Sequence, residues 1–267
     1  MQNLPAALHV AAMSDTGRVR EHNEDAVWTG RGVVRDGAWS GSFATDELEG
    51  LVLAVADGVG GAAAGEIASR RVAQEMAARI DAASRASPPD DEVLRGVAVE
   101  VNDLLLREAD RHPDRRGMAT TYTAIHVASS ATRWLNAGDS RLYGFSRGEL
   151  RQITRDHTLR EETGDPSIPG NIITNCFGTE EGFRVDIAPL DLSGSALFLL
   201  CSDGLSDYAD MDRAAAVLGE TFDECERSDD PQGCRDVLER SARTLVDLAL
   251  NGGGGDNVSL LIALPRS

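Results

Sequence analysis

Hydrophobic and polar positions divide the chain into short apolar runs and longer stretches with helical spacing. The clearest run, Leu51-Val52-Leu53-Ala54-Val55-Ala56, has no polar interruption, which predicts a strand buried on both faces. It ends on Asp57-Gly58-Val59-Gly60-Gly61, placing a carboxylate at the mouth of a core beside glycines that let other groups approach the backbone. A second run over 196–201 ends on Ser202-Asp203-Gly204 in the same way. Two buried strands that each deliver Asp-Gly suggest a shared metal site.

Read in order, the pattern predicts a strand over 7–13 and a polar loop over 14–25. Short apolar pieces at 26–28, 33–34 and 42–44 then read as hairpins at a sheet edge. After the opening strand, 62–83 carries Ile67, Arg71, Val72 and Met76 at amphipathic helical spacing. Ser87-Pro88-Pro89-Asp90 breaks the chain before a second helix over 91–111, with Val93, Leu94, Val97, Val101, Leu104 and Leu105 on one stripe. A meander follows at 120–129, 133–137, 141–146 and 149–153, with turns such as Ser146-Arg147-Gly148. The segment 158–170 is polar, with two prolines and two glycines, and is expected to be a surface loop. Strand signals return at 172–174, 184–188 and 196–201, helices are expected over 211–221 and 235–250, and a last strand over 258–264. This order predicts an α+β fold of helix pairs on a largely antiparallel core, in one domain over 1–267. No repeat of solenoid period is visible.

Composition narrows the function. A net charge of −18 argues against binding nucleic-acid phosphates or an anionic membrane, both of which need clustered Lys and Arg. It suits a protein that holds divalent cations. The N-terminal stretch lacks the basic and apolar regions of a secretory signal, and no apolar run approaches the roughly 20 residues of a membrane-spanning helix, so a cytoplasmic protein is expected. The four cysteines do not make a disulfide framework in a chain of this size. Cys201 reads as a small core residue and Cys176 has no partner motif. Cys225 and Cys234 flank a polar loop and could pair, but free thiols in a reducing compartment are the favoured reading.

Gly58-Val59-Gly60-Gly61-Ala62-Ala63 also fits a dinucleotide fingerprint, with Asp81 some 20 residues on. That fingerprint needs its acidic residue at the end of a second parallel strand, whereas Asp81 ends a helix that another helix follows. A hairpin turn at Asp57-Gly58 fails similarly, because a helical pattern comes next. A single aspartate at a strand end is more often a cap than a ligand. Asp25, Asp57, Asp139, Asp203 and Asp256 differ as a set, since each lies at a strand end or a glycine-flanked turn. Converging carboxylates repel and stay partly protonated unless a cation intervenes, and hard divalent ions such as magnesium and manganese prefer oxygen ligands.

Seven segments together resemble the type-2C, or PPM, class of metal-dependent serine/threonine protein phosphatases, in family order and over nearly the whole chain. They are Arg20-Glu21-His22-Asn23-Glu24-Asp25, Asp57-Gly58-Val59-Gly60-Gly61, Gly117-Met118-Ala119-Thr120-Thr121, Asn136-Ala137-Gly138-Asp139-Ser140-Arg141-Leu142-Tyr143, Thr154-Arg155-Asp156-His157-Thr158, Cys201-Ser202-Asp203-Gly204-Leu205 and Gly255-Asp256-Asn257. The resemblance implies a four-layer αββα sandwich, two antiparallel sheets flanked by helix pairs, with a two-metal centre at one end. It implies that Asp57 bridges two manganese or magnesium ions, that the Gly58 carbonyl binds one, and that Asp203 and Asp256 bind the other. By the same resemblance Glu24 and Asp25 act through metal-bound water, Asp139 holds a third, weaker ion that Asp203 also touches, and Arg20 grips the substrate phosphate. The implied reaction is hydrolysis of phosphoserine and phosphothreonine on proteins by a metal-bridged water, with a serine/threonine kinase or its targets among the partners and a monomer as the unit.

Two departures from the family pattern stand out. Many eukaryotic members carry a histidine between the glycines of the bridging-aspartate motif, as a proposed proton donor to the leaving group; here the position is Val59. His157 is read as a turn histidine bonded locally. The segment between His157 and Asn171 is shorter than the flap of many bacterial relatives, which leaves substrate preference open. The alternative function is a catalytically weak regulatory module that binds phosphoproteins or metal; the complete set of ligand positions argues against it. A nucleotide-binding oxidoreductase would instead bind NAD and need no metal.

Overall fold

The computed structural model describes residues 4–59, 63–129, 131–192, 197–228 and 230–266. The first half forms β1 (Ala7–Asp15), β2 (Ala26–Trp28), β3 (Val33–Val34), β4 (Gly37–Ala44), β5 (Val52–Ala56), β6 (Gly58–Val59), α1 (Ala63–Ala86) and α2 (Asp91–Arg111). Then come β7 (Ala119–Thr120), β8 (Tyr122–His126), β9 (Arg133–Ala137), β10 (Arg141–Ser146), β11 (Glu149–Gln152), α3 (Leu159–Thr163) and β12 (Asp186–Pro189). The chain closes with β13 (Leu197–Cys201), α4 (Asp203–Ser206), α5 (Met211–Glu226), α6 (Pro231–Asn251) and β14 (Val258–Arg266).

Two antiparallel sheets stack face to face. Among the described residues one has the order β11-β10-β13-β14-β1-β4 and the other β12-β9-β8-β5-β2-β3. The alternation of side chains along β5 explains the layers, because successive residues of a strand point to opposite faces. Leu53 and Val55 meet Val10, Phe198 and Leu261 between the sheets, while Val52, Ala54 and Ala56 meet Val72, Met76 and Leu94 under α1 and α2. The other sheet turns Leu199, Leu260 and Ile262 toward Leu218, Leu238 and Leu245 of α5 and α6. The result is the expected four-layer αββα sandwich. Strands β1 and β14 pair along their full length, from Ala7 opposite Arg266 to Asp15 opposite Val258.

Helix α2 begins where the Pro-Pro-Asp break predicts, because the Asp90 side chain accepts a hydrogen bond from the Val93 amide at 2.9 Å. Its buried face is Leu94, Ala98, Val101, Asn102 and Leu105, whereas Val93 is 44% exposed. One residue is about 100° of helix, so Val93 rotates off the stripe set by Leu94. Several other expectations are corrected. The strand over 120–129 is interrupted at Thr121: Thr120 pairs with Gly58 in a separate two-stranded ladder before β8 joins the main sheet. The meander itself divides between the sheets, since β9 lies in one and β10 in the other. The expected loop at 158–170 contains α3, capped by the Thr158 side chain at one end and by Gly164 in the left-handed region at the other. Residues 172–174 form no strand, only a bridge between Ile173 and Thr158. Helices α5 and α6 run longer than expected, because Asp230 accepts from the Gln232 and Gly233 amides with Pro231 in the first turn, so Cys225 and Cys234 lie inside helices rather than beside a loop. Gly60, Gly61, Ala62 and Ala196 lie outside the described residues.

His126 of β8 is fully buried, with Nε2 3.4 Å from Ser84 Oγ and Nδ1 without a partner among the described residues. Burial, with Arg133 adding to it, lowers its pKa from 6.5 to about 4. Between those values the unfolded chain binds a proton that the folded chain refuses, so this contribution is complete above the unfolded pKa and is lost as pH falls toward 4. Urea unfolding at about pH 7 and about pH 4.5 should show His126→Gln losing on the order of 2 kcal/mol less stability across that interval than the wild type. Equal losses would mean that His126 accepts its proton as freely when folded as when unfolded.

Candidate active site

Strand register gathers the carboxylates. Ala26 at the start of β2 lies opposite Ala56 at the end of β5, and Tyr122 at the start of β8 lies opposite Ala137 at the end of β9. In the other sheet Arg141 lies opposite Cys201, Cys201 opposite Leu260, and Val258 opposite Asp15. One end of the sandwich therefore holds Asp25, just before β2, and Asp57, just after β5. It also holds Asp139, where the chain crosses between sheets, Asp203 in the first turn of α4, and Asp256, just before β14.

Backbone packing fixes this end. Gly58 is buried, and a Cβ there would lie 2.5 Å from the Gly65 carbonyl carbon and 2.6 Å from the Glu24 carbonyl oxygen, so only glycine fits. Thr121 donates its amide to the Asp57 carbonyl at 2.9 Å, while its hydroxyl accepts from the Asp57 amide at 3.0 Å. Gly138, at φ 122°, turns the chain into Asp139 in a conformation that side chains rarely adopt. Asn257 holds the loop before Asp25, accepting from the Glu24 amide at 2.8 Å and donating to the carbonyls of Thr16 and His22 at 2.8 and 3.0 Å.

The acids are placed against their own interest. Asp25 accepts from the Ser202 hydroxyl at 2.9 Å through one oxygen, yet burial raises its pKa to about 7, with Asp203 and Asp256 adding to the rise. Asp139 is likewise raised to about 7 by burial, then by Asp203 and Asp156. Asp203 rises to about 6 through burial and the charges of Asp256 and Asp207, an interaction with the Asp57 carboxyl pulling it partway back. Asp57 is raised well above the usual carboxylate range by burial and by Asp25, Asp203, Asp139 and Asp256. Glu24 is raised by burial too, with Arg20 opposing. Asp256 is engaged differently: its Oδ2 accepts from Arg20 Nη2 at 2.7 Å, and its Oδ1 from the Asn257 amide at 2.8 Å. Arg20 is thus brought to the site, half-exposed and paired with an acid.

Among the described residues no three His, Cys, Asp or Glu side chains stand close enough to hold one ion ready-made. The donor set nevertheless fits a hard divalent cation, being all oxygen, and one buried oxygen each of Asp25, Asp139 and Asp203 has no partner among the described residues.

The protein phosphatase 2C profile matches residues 29–240. The chain belongs to the protein phosphatase 2C family. It is similar to the serine/threonine protein phosphatase PstP of Mycobacterium tuberculosis, at 32% identity over 98% of this chain, though it spans only 46% of that protein's length. It is 31% identical to the serine/threonine phosphatase Stp of Listeria monocytogenes, over 96% of this chain and 95% of that one. Among solved structures, that of M. tuberculosis PstP/Ppp superposes with a TM-score of 0.71 at 31% identity, covering 98% of this chain and all of that one, and that of Staphylococcus aureus Stp1 with 0.73 at 26% identity, covering 100% and 97%.

Within this 2C frame, sequence reasoning missed the supporting polar groups. Ser202, Thr121 and Asn257 stand in the quoted motifs, but nothing in spacing alone says which carboxylate each serves. His157 is not bonded locally as expected. Its buried ring accepts at Nδ1 from the Asn175 amide at 2.7 Å and from the Gly138 amide at 3.2 Å, and its Nε2 donates to Asp186 at 3.1 Å. It braces the turn that carries Asp139. Arg141 grips Asp156 through Nε and Nη2, both to Oδ2, at 2.9 and 2.7 Å. That pair walls a cleft of about 480 Å³ between Asp139, Asp203 and Asp207 on one side and Arg160, Gly170 and Asn171 of the short flap on the other.

Replacing Asn257 with Ala strands one amide and two carbonyls of the 16–24 loop, a loss of about 1–3 kcal/mol for groups that cannot reach water. The thermal midpoint should fall by several degrees, measured by circular dichroism; an unchanged midpoint would show that solvent takes over these bonds.

Proposed function

We propose that the chain is a divalent-metal-dependent hydrolase of phosphoserine and phosphothreonine on proteins. The observation that carries this reading is the set of buried oxygens on Asp25, Asp139 and Asp203 with no partner among the described residues, gathered at one end of a protein phosphatase 2C sandwich. The names of the relatives, serine/threonine phosphatases, support the substrate class. Two ions, manganese or magnesium, would be held by Asp57, the Gly58 carbonyl, Asp203 and Asp256, with Glu24 and Asp25 acting through water and Asp139 serving a weaker third. Bound there, such ions supply Lewis-acid polarisation of the phosphoryl group and a water acidic enough to attack near neutral pH.

The chain's own groups do the rest. Asp25 is buried and held at one oxygen by Ser202, and a nearby cation would favour its charged form against the burial that raises its pKa. Arg20 leaves Asp256 to donate to phosphate oxygens, where a planar guanidinium matches the anion better than an ammonium would. Val59 has no proton to give, so the leaving group takes its proton from another source. Cys176 is not placed to serve as a nucleophile, because it is buried and burial raises its pKa. A serine/threonine kinase, or the proteins it phosphorylates, is the class of partner this activity requires.

Turnover of an aryl phosphate and of a phosphothreonine peptide should need manganese or magnesium and vanish in EDTA; full activity in EDTA would overturn the metal assignment. Asp57→Asn and Asp203→Asn should each lower kcat by on the order of a hundredfold or more, as loss of a group that binds the reacting centre does. Asp139→Asn should act mainly at low metal concentration. Arg20→Ala should raise KM for both substrates.

A further inference from the structure

Cys225 and Cys234 take no part in the metal-site chemistry. Cys225 lies in the last turn of α5 and Cys234 in the first turn of α6, both buried where these helices meet their sheet. Their sulfurs are 2.7 Å apart, and Cys225 Sγ is 3.7 Å from the Cys234 carbonyl oxygen. A disulfide bond is about 2.05 Å long, so joining them asks for a displacement of well under an ångström. The helices are already tied nearby by the hydroxyls of Thr221 and Ser241, 2.6 Å apart, which fixes their relative position. Cys201 lies within β13, and Cys176 Sγ stands 3.9 Å from the Thr179 hydroxyl.

We propose that Cys225 and Cys234 are a redox site: a dithiol that closes to an intramolecular disulfide by exchange with a small disulfide of the glutathione type. Cys234 is the attacking sulfur. It stands at the N-terminal turn of a 21-residue helix, and the Cys225 thiol, Arg266 and Arg235 favour its thiolate, with burial and Glu226 opposing. The thiolate attacks one sulfur of the small disulfide, the S–S bond breaks, and one small thiolate leaves. Cys225 then gives up its proton and attacks Cys234 Sγ, releasing the second small thiolate. Two protons pass from the protein thiols to the two leaving thiolates, and the two electrons lost by the cysteines reduce the small disulfide to two thiols. Both sulfurs are buried, so exchange requires the last turn of α5 to open.

The closed bond ties the end of α5 to the start of α6 and removes loop entropy from the unfolded chain. Helix α6 is roughly 30 Å long, so the staple stands far from the Asp256 turn at its other end and acts on the stability of this layer.

The test treats the metal-free protein with oxidised glutathione, then denatures it and blocks remaining thiols with N-ethylmaleimide for mass spectrometry. The expected result is two blocked thiols instead of four, with tryptic peptides 214–227 and 228–235 joined, reversal by dithiothreitol, and a midpoint raised by roughly 5 °C or more. Cys225→Ser and Cys234→Ser should each abolish the joined peptides, and circular dichroism of both variants confirms that they fold. Four blocked thiols after oxidation, persistent mixed disulfides with glutathione, a joined pair involving Cys176 or Cys201, or a midpoint that does not rise would overturn the proposal.

Discussion

Like charge held out of water is the constraint on which this protein turns. Taking a carboxylate out of water costs several kcal/mol, and neighbouring carboxylates add repulsion that low dielectric strengthens. Asp25, Asp57, Asp139 and Asp203 are all raised in pKa, and burial is the largest cause for each. No local preference of the chain would put them together. The two sheets do so by register: turns that follow fully buried strands have nowhere to go but the end of the sandwich.

The apolar core and the polar site are therefore one construction. Each buried Leu, Val or Phe side chain contributes about 1.5–3 kcal/mol, and the cores on and between the sheets hold dozens of such residues. That surplus holds the acids in place, while hydrogen bonds set their direction. Thr121 binds the Asp57 backbone, Ser202 one oxygen of Asp25, and His157 the amide that precedes Asp139. One oxygen each of Asp25 and Asp139 is left buried with no partner among the described residues.

Much of this was legible in the sequence because strand burial and strand ends are local signals. The run at 51–56 announces a two-sided core and Asp57 announces its exit; the same holds at 203. The Pro-Pro-Asp break sets the start of α2 to the residue, since an N-cap needs only its own side chain and the amide three positions on. What escaped were features with no local signal. The split of the meander between sheets depends on which strand finds which partner, so β9 and β10 read as neighbours of one meander although Asp139 marks their crossing. His157 reads as a turn residue because Asn175 and Asp186, its true partners, are distant along the chain. Cys225 and Cys234 read as flanks of a loop because the caps that lengthen α5 and α6 lie within that polar stretch.

Arg20 and Asp256 show how such a site can be held ready at little cost. Their pair is half-exposed, and an exposed ion pair is worth about 0–1 kcal/mol, far less than a buried one costs to break. Arg20 is therefore free to exchange one anionic partner for another. Under the proposed assignment a phosphate dianion offers it more charge than Asp256 does, and the carboxylate it releases is the one a cation would take. Phosphate and cation then favour each other through a single exchange. A lysine could pair with Asp256 as a point charge, but it would lack the planar fork that makes the exchange favourable on the phosphate side.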